Sequence, residues 1–244
     1  MKTSSRFLLA AAFITLLSLV VYDLLLRAEY KSGYYLDPIR NFVTLNFKDF
    51  DTLDLPSSTA VNVKIVQGPF NIRMDRDAVD FVHLKNEGHK LQISAAFAGN
   101  YQSTPNQFIL IISCPKLSVL ITNACYRSNN TEVTDTIVRD DWIMRQVWIE
   151  GFREDSLLIS QDYGSTVVLA NNRIRAINAV IGKSPRSGSN LVIQDNNEFS
   201  YAALDIQNNS KLYLDNARIN KLSIQLGDHS KMIIVGKAKN LLNN

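Results

Sequence analysis

The strongest constraint on the fold is a pair of segments that each occur twice near the end of the chain. Residues 204–207 (LDIQ) are matched by residues 222–225 (LSIQ) at an offset of 18, and residues 210–214 (SKLYL) by residues 230–234 (SKMII) at an offset of 20. Short alternating strands at a near-constant interval indicate a solenoid, whose coils bury their apolar faces against one another. We therefore expect an all-β solenoid whose inward positions include Ile206, Leu212 and Ile224.

Pairs of apolar residues with one residue between them extend this pattern backwards to Val147 and forwards to Ile234. Ser165, Ser189, Ser210 and Ser230 each precede an inward pair and are spaced by 24, 21 and 20 residues. The longer interval coincides with residues 183–188, which we predict to project from one coil as a loop. Insertions of this kind often lie on the binding face of a solenoid.

The turns of such a stack need residues that tolerate a left-handed backbone. The chain has only 10 glycines in 244 residues, but asparagine recurs in its second half, and asparagine adopts this conformation more readily than most residues. We expect it to serve in the turns, and the asparagines concerned are Asn171, Asn172, Asn178, Asn190, Asn196, Asn197, Asn208, Asn209 and Asn216.

Residues 7–26 are almost entirely apolar and long enough to cross a bilayer as a helix. Because Lys2 and Arg6 precede them, the positive-inside rule places residues 1–6 in the cytoplasm and the bulk of the chain in the periplasm or outside the cell. A cleaved signal peptide is the alternative, but residues 26–28 (LRA) fit its cleavage site poorly. We predict a retained single-pass anchor, followed by a linker over residues 27–40.

The remaining chain divides into three parts by its pattern. Residues 41–125 alternate as strands, and the apolar run 108–112 predicts a strand buried on both faces. Residues 126–146 are an irregular connection, in which a short helix and a coil are both open for residues 133–144. The solenoid coils occupy residues 147–244.

Several segments of the first part carry a resemblance to a known family. Residues 50–53, 61–68, 79–84, 88–93 and 115–117 resemble the head domain of the auto-transporter adhesin family, the GIN-domain family of unknown function. The resemblance covers residues 41–125 by motif and 147–235 by architecture. It implies a right-handed β-helix-like solenoid in an exported bacterial protein. The Gly-Ala-Gly-Asp-like turns of that family are replaced at residues 161–162, 194–196 and 207–209, so no ligand carries over.

Histidine and cysteine give no sign of a reactive site. His83 alternates with apolar neighbours, and His89 and His229 lie near turn glycines, so we expect all three on the surface and no bound metal. Cys114 and Cys125 are 11 residues apart. An exported protein permits a disulfide between them, and two buried free thiols are the alternative.

One cluster could support sugar chemistry, because glycosidases use paired carboxylates. Its acids are Asp140, Asp141, Glu154 and Asp155, and the nearby basic and aromatic residues are Arg139, Arg145, Arg153, Trp142 and Trp148. Adjacent acids on a strand point to opposite faces, however. We therefore predict no catalytic, cofactor-binding or metal-binding residue.

Charge excludes one class of partner. A formal net charge of +3 with interspersed signs leaves no basic patch for nucleic acid. The sequence favours a non-enzymatic, membrane-anchored scaffold or adhesin-like module of the cell envelope that binds a protein or a glycan. The alternative is a carbohydrate-active enzyme, a polysaccharide lyase or hydrolase, on the same stack. A small membrane transferase would fit the anchor but lacks a nucleotide-sugar domain.

Overall fold

A computed structural model describes residues 3–33, 37, 39–99, 107–138, 145–236 and 238–239. The chain divides into two compact units, Met1–Asn41 and Phe42–Asn244. The first contains one helix, α1 (Thr3–Ser32), which includes the predicted span 7–26 and continues into the predicted linker. Its segment Ser4–Ser32 is long and apolar enough to cross a membrane. The ion pair between Asp23 and Arg27, at 2.9 Å, joins two charges near the end of this span.

The second unit is built of strands, nineteen in its described part. The first ten are β1 (Phe42–Leu45), β2 (Thr52–Leu55), β3 (Val63–Gln67), β4 (Asn71–Asp75), β5 (Val82–Glu87), β6 (Lys90–Phe97), β7 (Leu110–Cys114), β8 (Val119–Thr122), β9 (Cys125–Ser128) and β10 (Thr131–Thr134). The others are β11 (Val147–Glu150), β12 (Arg153–Gln161), β13 (Thr166–Ala170), β14 (Arg173–Ile181), β15 (Asn190–Ile193), β16 (Glu198–Ile206), β17 (Lys211–Asp215), β18 (Arg218–Leu226) and β19 (Lys231–Val235). A 3-10 helix, Arg76–Ala78, follows β4.

These strands form two large sheets, and neither sheet closes on itself. One sheet has nine strands in the order β1-β4-β7-β3-β11-β13-β15-β17-β19, and the other has ten, in the order β10-β9-β6-β2-β8-β12-β14-β16-β18, with β5 paired to β6 beside this path. From β11 onwards successive strands alternate between the sheets, and every pair is parallel. The fold is therefore mostly β behind one N-terminal helix.

The strand register repeats at about the predicted interval. Val147 pairs with Val167, which continues through Leu191 and Leu212 to Met232, at steps of 20, 24, 21 and 20 residues. The last three steps equal the spacing of the four serines, which confirms that they mark the register. The offset of 18 between residues 204–207 and 222–225 is wrong, because Leu204 pairs with Ile224, 20 residues on.

Inward side chains of both sheets pack into one hydrophobic core. Ile206 and Leu212 are completely buried, as predicted, whereas Ile224 is only partly buried against the core because β18 is the last strand of its sheet. The run 108–112 differs from its prediction. Strand β7 begins at Leu110, and its buried residues alternate with half-buried ones, so only one of its faces lies in the core.

The corners between the two sheets explain part of the asparagine content. At the corner that leads from the nine-stranded to the ten-stranded sheet, one residue of each repeat has a positive φ: Gly151, Asn171, Asn196, Asn216 and Gly236. Only glycine and a few polar residues adopt this geometry without much strain. Of the nine asparagines, four have a positive φ, the fourth being Asn208 at another corner. For the other five the prediction was wrong, and Asn178 and Asn190 lie within strands.

Asn172 and Asn197 are buried, and they join neighbouring repeats by hydrogen bonds. Asn197 Nδ2 donates to the carbonyl oxygens of Leu169, at 2.8 Å, and Gln194, at 2.7 Å. Its Oδ1 accepts from the backbone N–H of Asn172, at 3.1 Å, and from Asn172 Nδ2, at 3.0 Å. These bonds satisfy main-chain groups that the turn leaves without strand partners.

The segment between the first strands and the repeats is not irregular throughout. β9 and β10 pair as an antiparallel hairpin whose turn residues, Asn129 and Asn130, both have a positive φ. Neither a helix nor a coil therefore describes residues 133 and 134. Residues 139–144 lie outside the described residues.

Candidate functional site

Four strands of the ten-stranded sheet begin with a row of charged side chains. Strand pairing aligns Arg153, Arg173, Glu198 and Arg218 at the first positions of β12, β14, β16 and β18. They lie one behind another because the register repeats every 20 to 25 residues. A row of charges across four strands is thus a direct consequence of the repeat.

A second row lies two positions further along the same strands and consists of Asp155, Arg175, Ser200 and Asn220. At each of these positions the strand pairing is interrupted and resumes one residue later. In β12 and β16 the row residue and its successor are both exposed, which breaks the usual alternation and indicates a local bend.

The two rows line an open groove of about 830 Å³. Between the rows, Ile174 and Phe199 are buried and form its floor. The rim has four arginines and three carboxylates, together with Ser200 and Asn220. A site of this size that is lined by charged and amide groups can bind a polar ligand along the direction that crosses the strands.

Ion pairs hold most of these charges in place. Glu198 binds two arginines, with Oε2 at 2.8 Å from Arg173 Nε and Oε1 at 3.3 Å from Arg218 Nη1. Arg175 Nε is 3.2 Å from Asp155 Oδ1, although both side chains are largely exposed. Each guanidinium has five N–H donors, so these pairs leave donors for a ligand.

Arg153 and Glu154 lie at one end of the groove. Arg153 has no ion pair with any residue that the structure describes. Glu154 is half-buried, and its Oε1 accepts from Gln67 Nε2 at 3.2 Å. Burial raises the pKa of Glu154, and the nearby charge of Lys116 opposes this effect. A half-buried Glu154 beside an exposed Asp155 agrees with the expectation that the two acids point to opposite faces.

The structure does not bring the whole predicted cluster together. Arg153, Glu154 and Asp155 line the groove, whereas Trp148 lies in β11 of the other sheet, where its Nε1 donates to Glu150 Oε2 at 3.2 Å. Arg145 precedes the same strand β11. The other members, Arg139, Asp140, Asp141 and Trp142, lie outside the described residues.

Sequence reasoning missed most of the groove. Arg173, Arg175, Glu198 and Arg218 are far apart in sequence and belong to no short motif. The signal that would have found them is the register itself, because residues one repeat apart stack on the same face. Aligning the strands by the serine spacing places these residues in two rows.

Histidines and cysteines are as unreactive as predicted. His83, His89 and His229 are exposed, and among the described residues no group of three potential metal ligands occurs. Cys114 and Cys125 are both free, so the disulfide alternative is wrong. Burial raises the pKa of Cys114 to about 12, which keeps its thiol protonated.

The predicted loop lies between β14 and β15. The connection is eight residues long, from Gly182 to Ser189, against four residues between β16 and β17. Lys183, Pro185 and Arg186 are exposed, while Ser184 Oγ donates to Asp162 Oδ2 at 2.6 Å and fixes the base of the loop. The groove begins at the opposite end of β14, so the loop does not line it.

Comparison with known proteins gives no family. No family model matches the chain, and no curated protein matches it. A "putative adhesin" from Bacteroides fragilis NCTC 9343 is a similar solved structure, with 12% identity, 81% of this chain and 99% of that chain covered, and a TM-score of 0.40. A "putative adhesin" from Parabacteroides merdae ATCC 43184 has 9% identity, covers 80% and 95%, and has a TM-score of 0.35.

A "putative lipid binding protein" from Parabacteroides distasonis ATCC 8503 has 9% identity, coverage of 80% of this chain and 94% of that chain, and a TM-score of 0.32. Identities and TM-scores this low assign neither a family nor a function.

Proposed function

We propose that the chain is a non-enzymatic binding module of the cell envelope, held to the membrane by residues 7–26. In this proposal residues 1–6 are cytoplasmic, residues 27–40 form a tether, and residues 41–125, 126–146 and 147–244 lie in the periplasm or outside the cell. The two-sheet stack is a right-handed β-helix-like solenoid of the GIN-domain type. Its ligand is an envelope protein or glycan.

The observation that carries the proposal is the groove across β12, β14, β16 and β18. Two of its three carboxylates, Asp155 and Glu198, are already ion-paired with arginine. A hydrolase of the two-carboxylate type needs one carboxyl that gives a proton and a second that remains free to act on the sugar or on water. Here the acids instead position guanidinium groups, which is an arrangement suited to binding.

One feature favours the enzymatic alternative. Glu154 lines the groove, and burial raises its pKa, which is the change that prepares a carboxyl for general-acid catalysis. A carbohydrate-active enzyme would use Glu154 in this way, so the substitution Glu154→Gln separates the two functions. It should leave binding intact in a binding module and abolish turnover in an enzyme.

The test uses the full chain in a non-ionic detergent, immobilised and exposed to fragments of the producing cell's envelope. Retention of envelope material should fall for Arg173→Gln/Arg218→Gln and persist for Glu154→Gln. Arg76→Gln/Arg127→Gln is the matched control, because it removes two exposed arginines outside the groove. Release of new reducing ends by the wild-type chain, lost in Glu154→Gln, would establish the enzyme instead.

The anchor is tested separately by N-terminal sequencing of chain recovered from membranes. Retention of residues 7–26 is expected, since the segment is long and its cleavage site is poor. A mature terminus near Glu29 would show that the segment is a signal peptide.

A further inference from the structure

The groove is asymmetric in charge. Its β12–β14 half carries Arg153, Arg173 and Arg175, and Lys116 is close enough to Glu154 to lower its pKa there. Its β16–β18 half presents the neutral groups of Ser200 and Asn220 beside Arg218, whose charge is shared with Glu198. A matching ligand therefore has anionic groups along part of its length and hydroxyl groups throughout.

The repeat also sets the spacing of these groups. Neighbouring strands lie about 4.8 Å apart, so the four strands extend about 14 Å across the groove. An extended polymer that crosses the strands meets one charged first-row side chain per strand. Arginine is suited to this contact because its planar fork can bind both oxygens of a carboxylate.

The groove is poorly suited to a peptide. β14 and β16 are paired with a strand on each side, so they offer no free main-chain edge to which a peptide strand could add. The apolar residues Ile174 and Phe199 are buried in the floor, and the accessible rim is charged or polar. An amphipathic helix would need an exposed apolar groove, which is not what these rows provide.

From this geometry we infer that the groove binds an acidic polysaccharide, a linear chain of uronic-acid sugars, with its carboxylates on the arginines of β12 and β14. The inference rests on the proposed binding function and names its ligand class. Ser200 and Asn220 then hydrogen-bond sugar hydroxyls. Since the attraction is electrostatic at an open site, binding weakens as salt rises.

The experiment measures binding of polygalacturonate to the full chain in non-ionic detergent by isothermal titration calorimetry. Fully methyl-esterified polygalacturonate keeps the sugar backbone and removes the charge, so it should bind much more weakly. Arg153→Gln/Arg175→Gln should raise the Kd for polygalacturonate about tenfold or more, because it removes two charge-assisted contacts. These residues suit the test because Arg153 has no ion pair with a described residue and the pair of Arg175 is exposed.

The control Arg76→Gln/Arg127→Gln changes the net charge by the same amount and should leave the Kd within about twofold, since a surface charge far from the site is screened. Equal loss in both double variants, or equal binding of the esterified polymer, would overturn the inference. Equally tight binding of poly-glutamate would show that the groove recognises acidic polypeptides. If polygalacturonate does not bind but envelope retention still depends on the groove, only the ligand class is wrong.

Discussion

Replacing Asn197 with alanine tests the hydrogen-bonded corner that joins the repeats. Asn197 is fully buried and makes four hydrogen bonds, two as donor and two as acceptor. A hydrogen bond contributes about 1 kcal/mol to the free energy of unfolding, so the loss should be about 4 kcal/mol. Of the groups left behind, Leu169 O still accepts from Gln194 N, at 3.0 Å, whereas the buried N–H of Asn172 loses its partner.

Asn178→Ala is the matched control, because Asn178 is an exposed residue of β14 and its loss should cost roughly 0.5 kcal/mol or less. The free energies come from guanidinium denaturation of the full chain in non-ionic detergent, followed by far-UV circular dichroism. The next repeat has Ala217 at the position equivalent to Asn197, so alanine itself is compatible with this backbone. If both variants lose the same small amount, the corner is held by packing and not by the asparagine.

Three further predictions use similar measurements. Ile206→Ala and Leu212→Ala should each cost about 2–5 kcal/mol, Ile224→Ala less because it is partly exposed, and Gln225→Ala roughly 0.5 kcal/mol or less; equal costs would refute the inward register. Burial acts to raise the pKa of Asp162, but hydrogen bonds from Ser184 and Tyr163 outweigh it and lower the pKa. Its stabilisation is therefore present above the ordinary aspartate pKa and lost as pH falls through the folded value, so Asp162→Asn should destabilise at pH 7 and have little effect in strong acid; a difference independent of pH would refute this. Half-buried Cys125 should react with a thiol reagent before Cys114, and equal rates in the folded chain would contradict the burial of Cys114.

The strand pattern could be read from the sequence because burial leaves a local trace. Ile206 and Leu212 alternate with polar neighbours, and an inward position on a half-buried sheet must be apolar. The offset of 18 failed for a related reason. Shifting β18 by two residues keeps every side chain on the same face, so the apolar pattern alone cannot distinguish offsets of 18 and 20. Only the hydrogen-bonded corners, such as that of Asn216, fix the repeat length.

The groove could not be predicted from local sequence, because its residues are adjacent only across strands. Arg153 and Arg218 are separated by three repeats and approach each other through the register. Exposed arginines also leave no apolar signature, since any polar residue is tolerated on the outer face. By contrast, the paired acids Glu154 and Asp155 were visible as neighbours in sequence, but their opposite environments depend on the strand direction.

The open end of the two sheets gives the last prediction. β18 and β19 are the final strands of their sheets, and Leu226, Ile233 and Val235 are exposed there. An unpaired strand edge beside apolar side chains favours association with another chain. The strand ends at Val235, as the sequence predicted, and Gly236 has a positive φ of 63°. Ala238, two residues further on, is almost completely buried.

The buried Ala238 indicates that the chain returns over its last repeat, which is the capping role that the sequence suggested for Lys237, Lys239, Leu241 and Leu242. Lys237 and residues 240–244 lie outside the described residues. Deleting residues 237–244 should leave the fold formed but increase self-association, because the deletion exposes the last strands and removes two lysines that discourage pairing. Light scattering of the full and shortened chains in the same detergent measures this. A shortened chain that remains monodisperse at equal concentration would show that the tail does not protect the edge.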